Sequence, residues 1–356
     1  MVFSIEALPA REGDCFWIEY GDADKPRVIL VDGGRKLAHK SLEPRLDELA
    51  RRDGAIELLV LTHVDADHLE GFLELIESDR KVKVKDVWFN DYDRLIEAAR
   101  RAGIEVQGAK QGERIGAGIV TRRWPWNVAF DSGPAGFPAG SPPVLTLDGG
   151  LKVTLLSPTY EALSELIPTW KKECLAEGIA PGSGPKEAEE NLERMGAGPT
   201  IGQVEQAAQV PFKADTSKAN LSSIAFVLAY DGKSMLLTGD AHVSVIAASI
   251  ESLGLDGRLE VDLWKLSHHG SKGTTSKELV EAIESKFFLI STDGSRHDHP
   301  DIETIARILK FHGGMPKLAF NHDNEYMRRW DSAKLKNKFD YSTLYPNEDG
   351  LLRINL

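Results

Sequence analysis

Thr62-His63-Val64-Asp65-Ala66-Asp67-His68 places four potential metal ligands within six residues. The run before it, 57–61, is short and apolar, as a strand buried on both faces is. After Asp67, residues Leu69, Phe72, Leu73 and Ile76 recur at helical spacing, so a helix starts about there. The cluster therefore occupies the loop at a strand's carboxyl end, where α/β proteins place their sites. Alternate residues leaving a strand project together, so His63 and Asp65 can share one metal. Asp67 and His68, turning into the helix, can reach a second. Imidazole plus carboxylate suits divalent zinc, manganese or iron. Taken alone, Asp67 reads equally as a helix cap.

Outward from this loop, strands and helices alternate. Residues 2–8, 15–20 and 27–31 read as strands, 43–51 as a helix, 86–89 as a strand and 94–101 as a helix. The Gly- and Pro-rich stretch 108–143 reads as a loop insertion. Residues 151–156 return to strand, and 158–219 read as an inserted helical and loop lid. Residues 223–230 and 233–238 form strands joined by Asp231-Gly232, a two-residue hairpin signal. Then follow a strand at 261–266, a helix at 276–283 with Thr275 and Glu278 placed for a capping box, a strand at 287–291 and a helix at 301–311. The pattern is layered α/β with helices outside the sheets. The expected division is one domain over 1–325, with both insertions inside it, and a C-terminal extension over 326–356 packed on the domain.

His63-x-Asp65-x-Asp67-His68 resembles the metal motif of the metallo-β-lactamase superfamily, with Asp65 where a histidine is commoner. That variant resembles the hydrolase domain of the ComEC type, in a stand-alone form. Gly13-Asp14-Cys15, 29–33, Asn220-Leu221-Ser222-Ser223, Leu236-Leu237-Thr238-Gly239-Asp240, Lys265-Leu266-Ser267-His268-His269-Gly270-Ser271 and His299-Pro300 follow in the same order. The resemblance implies an αββα four-layer sandwich and a pair of divalent metal ions, zinc or manganese. It implies metal ligation by His63, Asp65, Asp67, His68, Asp240 and His268, with Asp240 bridging. Asp67 would also orient the attacking hydroxide. His269 would be a contact to substrate or to a ligand, and His299 a proton donor or substrate contact. One departure is that no histidine occurs between Leu69 and Ala241, where the superfamily usually supplies another ligand. Water or an oxygen ligand, with Asn220 or Ser222 as candidates, would take that place, and a carboxylate-rich set favours manganese.

Two divalent metals about 3.5–4 Å apart can share a hydroxide and neutralise charge on attacking and leaving oxygens. The reading is a dimetal-dependent hydrolase, a phosphodiesterase or nuclease of the ComEC-like branch. The alternatives are a small-molecule ester, lactone or cyclic-nucleotide hydrolase, and a non-catalytic metal-binding sensor or scaffold. Composition bounds this. The chain has 356 residues, 43 Lys and Arg against 55 Asp and Glu, and a net charge of −12, which argues against a general polyanion binder. A nucleic acid or other phosphodiester substrate stays open because bound metals change the local field. Arg122-Arg123-Trp124-Pro125-Trp126 reads either as a strand-binding loop or as a Trp anchor on the core. Arg80 to Lys85 and Lys334 to Lys338 carry basic residues that read as solvated faces. No apolar run reaches the roughly 18 residues of a membrane helix, no leader pattern opens the chain, and only Cys15 and Cys174 occur. A cytoplasmic protein with no membrane partner is the expectation.

Overall fold

The computed structural model describes residues 1–104, 114–177 and 198–356. Strands β1 (Val2–Ala7), β2 (Phe16–Gly21), β3 (Arg27–Val31), β4 (Ile56–Val60) and β5 (Val87–Trp88) build one sheet. Strands β6 (Val144–Thr146), β7 (Lys152–Ser157), β8 (Ala225–Tyr230), β9 (Lys233–Leu237), β10 (Leu259–Lys265), β11 (Ile283–Ile290), β12 (Lys317–Phe320) and β13 (Ser342–Leu344) build the other. The last strand, β14 (Leu352–Asn355), returns to the first sheet and pairs antiparallel with β1. The C-terminal segment thus adds an edge strand to each sheet.

Period-2 alternation decides the layers. On β4, Leu58 and Val60 face the other sheet beside Phe226, Met235, Leu237 and Leu263. Leu59 and Leu61 face outward, onto helices α1 (Ala38–Arg51), α2 (Ala66–Glu77) and α3 (Tyr92–Arg101). Helix α4 (Arg114–Arg122) lies within the stretch expected to be loop; it packs Ile115 and Ile119 into the same layer. Its glycines had signalled a loop. A Cβ on Gly118 would meet Ile76 at 2.7 Å, so small residues let α4 lie close on α2. Of the 158–219 stretch, α5 (Tyr160–Glu177) packs Leu163, Leu166, Ile167 and Trp170 into this first layer, and residues 178–197 lie outside the described residues.

Outside the second sheet lie α6 (Ile201–Ala207), α8 (Val243–Ser252), α9 (Lys277–Ala282), α10 (Ile302–Phe311) and α12 (Ala333–Phe339), over a core that includes Trp264, Phe288 and Trp330. The short helices α7 (Lys218–Leu221) and α11 (Glu325–Arg328) sit in connections. The result is an αββα sandwich. The α9 N-cap is Ser276, whose hydroxyl accepts from Leu279 N, and not the expected Thr275. The hairpin at Asp231-Gly232 has positive φ at both residues (51° and 74°), as its two-residue turn requires.

The strands that carry the site are parallel neighbours. β3 and β4 run together in the first sheet, and β9, β10, β11 and β12 in the second. Their carboxyl ends deliver Asp32, His63, Asp240, His268, His269 and Ser291 to one mouth between the sheets.

The aromatic–basic stretch after α4 is spent on packing. Arg122 donates to the carbonyls of Leu75, Ile76, Ser78 and Arg80 at the end of α2. Trp124 is buried and donates Nε1 to Val82 O at 3.1 Å; Trp126 stacks on Phe89 and has the Arg94 guanidinium over its ring. Arg80, Lys83, Lys85, Lys336 and Lys338 are each paired with an acidic side chain. Among the described residues no helix is long and apolar enough to cross a membrane. Cys15 is free and buried, and burial pushes its thiol up.

Candidate metal centre

Helix α2 begins at Ala66, so Asp65 is its N-cap and Asp67 and His68 stand in its first turn. The Asp65 carboxylate does not cap the helix; its Oδ2 lies 3.4 Å from His63 Nε2. His63 and His68 are both buried, with ring centroids 4.2 Å apart. Asp240, at the end of β9 and 1% exposed, is central. Its oxygens lie 3.8 Å from His63 Nε2, 3.5 Å from His68 Nε2, 3.9 Å from His268 Nε2 and 3.8 Å from His269 Nε2.

The surrounding hydrogen bonds fix which ring nitrogens face this point. Asp32 accepts from Thr62 N (2.7 Å), Thr62 Oγ1 (2.8 Å) and His68 Nδ1 (2.8 Å). With its proton committed to Asp32, Thr62 Oγ1 accepts from His63 Nδ1 at 3.0 Å. His269 Nδ1 donates to Ser291 O at 2.8 Å. Each imidazole is thereby turned so that Nε2 faces the centre, as metal-binding histidines are oriented by their outer partners.

Two groups of three donors have ligand atoms within 4.8 Å of one another at this mouth: His63, His68 and Asp240; and Asp67, His68 and His269. His63 Nε2, His68 Nε2 and Asp240 Oδ1 are buried with no hydrogen-bond partner. Buried polar atoms are ordinarily satisfied. Three orphans of ligand chemistry turned on one spot fit a divalent cation, so the residues present suit the metals the resemblance implies. A third group, Asp14, Asp32 and His68, lies behind His68 Nδ1.

The neighbouring histidines take unequal places. His269 Nε2 is 3.1 Å from Asp67 Oδ2 and lies in the second group, although the resemblance assigns the ligand position to His268 and alternation along an extended strand would turn its neighbour away. Both residues have left-handed backbone, φ 47° and 55°, so alternation does not apply. His268 stands at the mouth with its side chain 27% exposed, and its Nδ1 is 3.2 Å from Asp215 Oδ2. Asp215 also accepts from Asn220 Nδ2 at 2.7 Å and Ser217 N at 2.8 Å. Asn220 Nδ2 also lies 3.2 Å from His268 Nδ1 and its Oδ1 is buried with no hydrogen-bond partner, whereas Ser222 Oγ donates to Ala219 O. His299 is buried, its Nδ1 3.4 Å from Asp301 Oδ2 and its ring 5.3 Å from that of His268. Asp14, Asp32, Lys265 and Asp215 are further charged residues of the site to which the sequence assigned no role. A cleft of about 290 Å³ lined by Phe212, Asp215, His242, Ser244 and Glu278 opens beside His268 and shares Asp215 with the centre.

Burial raises the Asp67 and Asp240 carboxyls, but the facing histidines overcome it and hold both well below the usual carboxylate range. Burial lowers His68 and His269, and the carboxylates, Asp240 first among them, overcome that in turn. His68 is held well above its ordinary value and His269 is pushed up to about 10. A histidine raised on folding adds stability that is complete below its unfolded value, about 6.5, and is lost as pH climbs through the folded value. The lowered carboxylates act oppositely: their contribution is present above about pH 4 and is lost in acid. The metal-free protein is therefore expected to melt at a falling temperature from pH 6.5 to 9.5, measured by calorimetry. Manganese affinity should rise over the same range, because a cation must displace the histidine protons.

The αββα sandwich with this motif at its mouth is consistent with the metallo-β-lactamase fold. No family model matches the chain. Over 102 residues it is 28% identical to ComE operon protein 3 of Bacillus subtilis (strain 168), a match covering 29% of this chain and 13% of that relative's length. Among solved structures it is similar to the metallo-beta-lactamase fold protein YhfI from Bacillus subtilis (9% identity, TM-score 0.42, 99% of this chain and 100% of that one). It is also similar to a putative Zn-dependent hydrolase of the metallo-beta-lactamase superfamily from Thermotoga maritima (9% identity, TM-score 0.32, 89% of each chain).

Proposed function

We propose that the chain is a dimetal-dependent hydrolase of phosphodiester bonds, of the ComEC-like branch. The observation that carries the metal reading is the convergence of the unpartnered atoms His63 Nε2, His68 Nε2 and Asp240 Oδ1. His63, Asp65 and Asp240 would hold one cation, and Asp67, His68, His269 and Asp240 the other. When bound, such a pair activates water and neutralises charge on the oxygens of the scissile group. A phosphodiester needs that neutralisation at both the attacking and the leaving oxygen. The resemblance of the ordered motifs to the ComEC type implies this substrate class, and the match to ComE operon protein 3 agrees with that resemblance.

The chain's own residues supply the rest. Asp67 orients the attacking water from the first turn of α2, where its Oδ2 lies beside His269 Nε2. His268, partly exposed at the mouth and set by Asp215, is placed to give a proton to the leaving oxygen, with His299 packed behind it. The adjoining cleft gives the leaving portion a place to lie.

The test is metal analysis of the purified protein after loading with manganese or zinc, joined to a screen of DNA, RNA, cyclic nucleotides, esters and lactones. Two ions per chain with phosphodiester cleavage are expected. A loaded protein that cleaves a lactone and no phosphodiester would overturn the substrate reading.

A further inference from the structure

We infer that Lys265 and Asp14 are a built-in charged floor of the metal centre, with Lys265 the positioning residue for Asp240 and Asp14 for His269. The inference rests on the two-cation reading of the site.

Alternation along β10 puts Lys265 on the same face as Leu263, between the sheets, at the end where the site opens. Its side chain is fully buried. A buried lysine gives up its hydration at a large cost, and the neighbouring inward positions are filled by apolar groups, so packing alone gives no reason for an amine here. Its contacts do. Nζ donates to Gly239 O at 3.0 Å, pairs with Asp14 and lies 3.9 Å from Asp240 Oδ1. Gly239 has φ 47°, and a Cβ there would meet Ser223 Oγ at 2.4 Å. From that side Ser223 Oγ accepts from Asp240 N at 3.0 Å. The Gly239-Asp240 turn is thus gripped by Lys265 through one carbonyl and by Ser223 through one amide, and this sets where the Asp240 carboxylate points.

Asp14 extends the device to the other ligand. It is wholly buried, with Oδ1 3.4 Å from His269 Nδ1 and Oδ2 4.0 Å from His68 Nδ1. Charge explains why the donor is cationic. Asp14, Asp32, Asp65, Asp67 and Asp240 gather five carboxylates around neutral imidazole ligands, a load matched by two divalent cations and one lysine. A sixth, Asp215, faces His268 instead.

The experiment compares Lys265→Met, Asp14→Asn and the double variant by melting temperature and by manganese binding at fixed pH in equilibrium dialysis. Breaking a buried pair from one side leaves an uncompensated charge, whereas replacing both partners is close to neutral. Lys265→Met should melt well below the parent and the double variant close to it. The double variant should nevertheless bind manganese more than about 10-fold more weakly, the loss typical of outer-shell partners. A pair that merely holds the fold together gives a double variant with parental manganese affinity, and that result overturns the inference. So does a double variant that melts as low as Lys265→Met. A parent protein that binds no divalent cation overturns the two-cation reading itself, a result distinct from either.

Discussion

Asp240→Asn is expected to lower hydrolysis of a generic phosphodiester by more than about 100-fold, beyond the 10- to 100-fold typical of losing an outer partner of a metal ligand. The same change should lower the melting temperature of the metal-free protein at neutral pH, where the Asp240 carboxylate and the raised His68 and His269 stabilise one another. Both halves come from one geometry. Asp240 is the side chain that meets all four site histidines, with contacts between 3.5 and 3.9 Å. An amide of the same shape keeps the packing and loses the charge that would bridge two cations. It also removes the carboxylate that the facing histidines hold ionised when no cation is bound, a contribution to stability present above about pH 4. Paired measurement of turnover, manganese content and melting temperature checks the prediction. Loss of activity with manganese content intact would mean that Asp240 serves the fold and not the centre.

Much of this was legible in the sequence, for identifiable reasons. The His63–His68 loop shows itself because four ligand types in six residues, between a buried strand and an amphipathic helix, have few other uses. The parallel strands show as short β-branched runs, and Asp231-Gly232 as the two residues that tolerate positive φ together. Asp14, Asp32 and Lys265 are different. Each lies in a strand-end segment whose motif is visible, but the role of each depends on what faces it across the space between the sheets. Asp32 sits at the end of β3, beside Leu61 at the end of β4, and only that pairing puts its carboxylate under Thr62 and His68. Lys265 looks like an ordinary strand-end lysine until the second sheet closes over it. Asp215 lies in a polar stretch with no periodicity, and its place is set by the hydrogen bond from its amide to Gly273 O at 3.0 Å. The glycine-rich α4 was hidden because glycine signals loop as strongly as it permits close helix packing.

The adjacent histidines give the sharpest division. His269→Ala should lower phosphodiester turnover by more than about 100-fold and reduce manganese content, while His268→Ala should cost roughly 100- to 10,000-fold and leave metal content intact, as general-acid loss does. The difference comes from the backbone. In an extended run only one of two neighbours could enter the site, and the first would be the natural choice. With both residues left-handed, the chain coils through the η-like turn Ser267–Gly270 and turns His269 inward beneath His268. His269 is then clamped at both ring nitrogens, by Ser291 O at 2.8 Å and Asp67 Oδ2 at 3.1 Å, and buried at 3% exposure. His268 keeps a face to solvent and takes its orientation from Asp215. The pH profile separates the roles further. Loss of a proton donor should flatten the alkaline limb of the kcat profile in His268→Ala, whereas His269→Ala should fail at all pH values unless manganese is raised. Equal metal loss in the two variants would show that His268 binds a cation as well, and the proton would then have to come from His299 or from solvent.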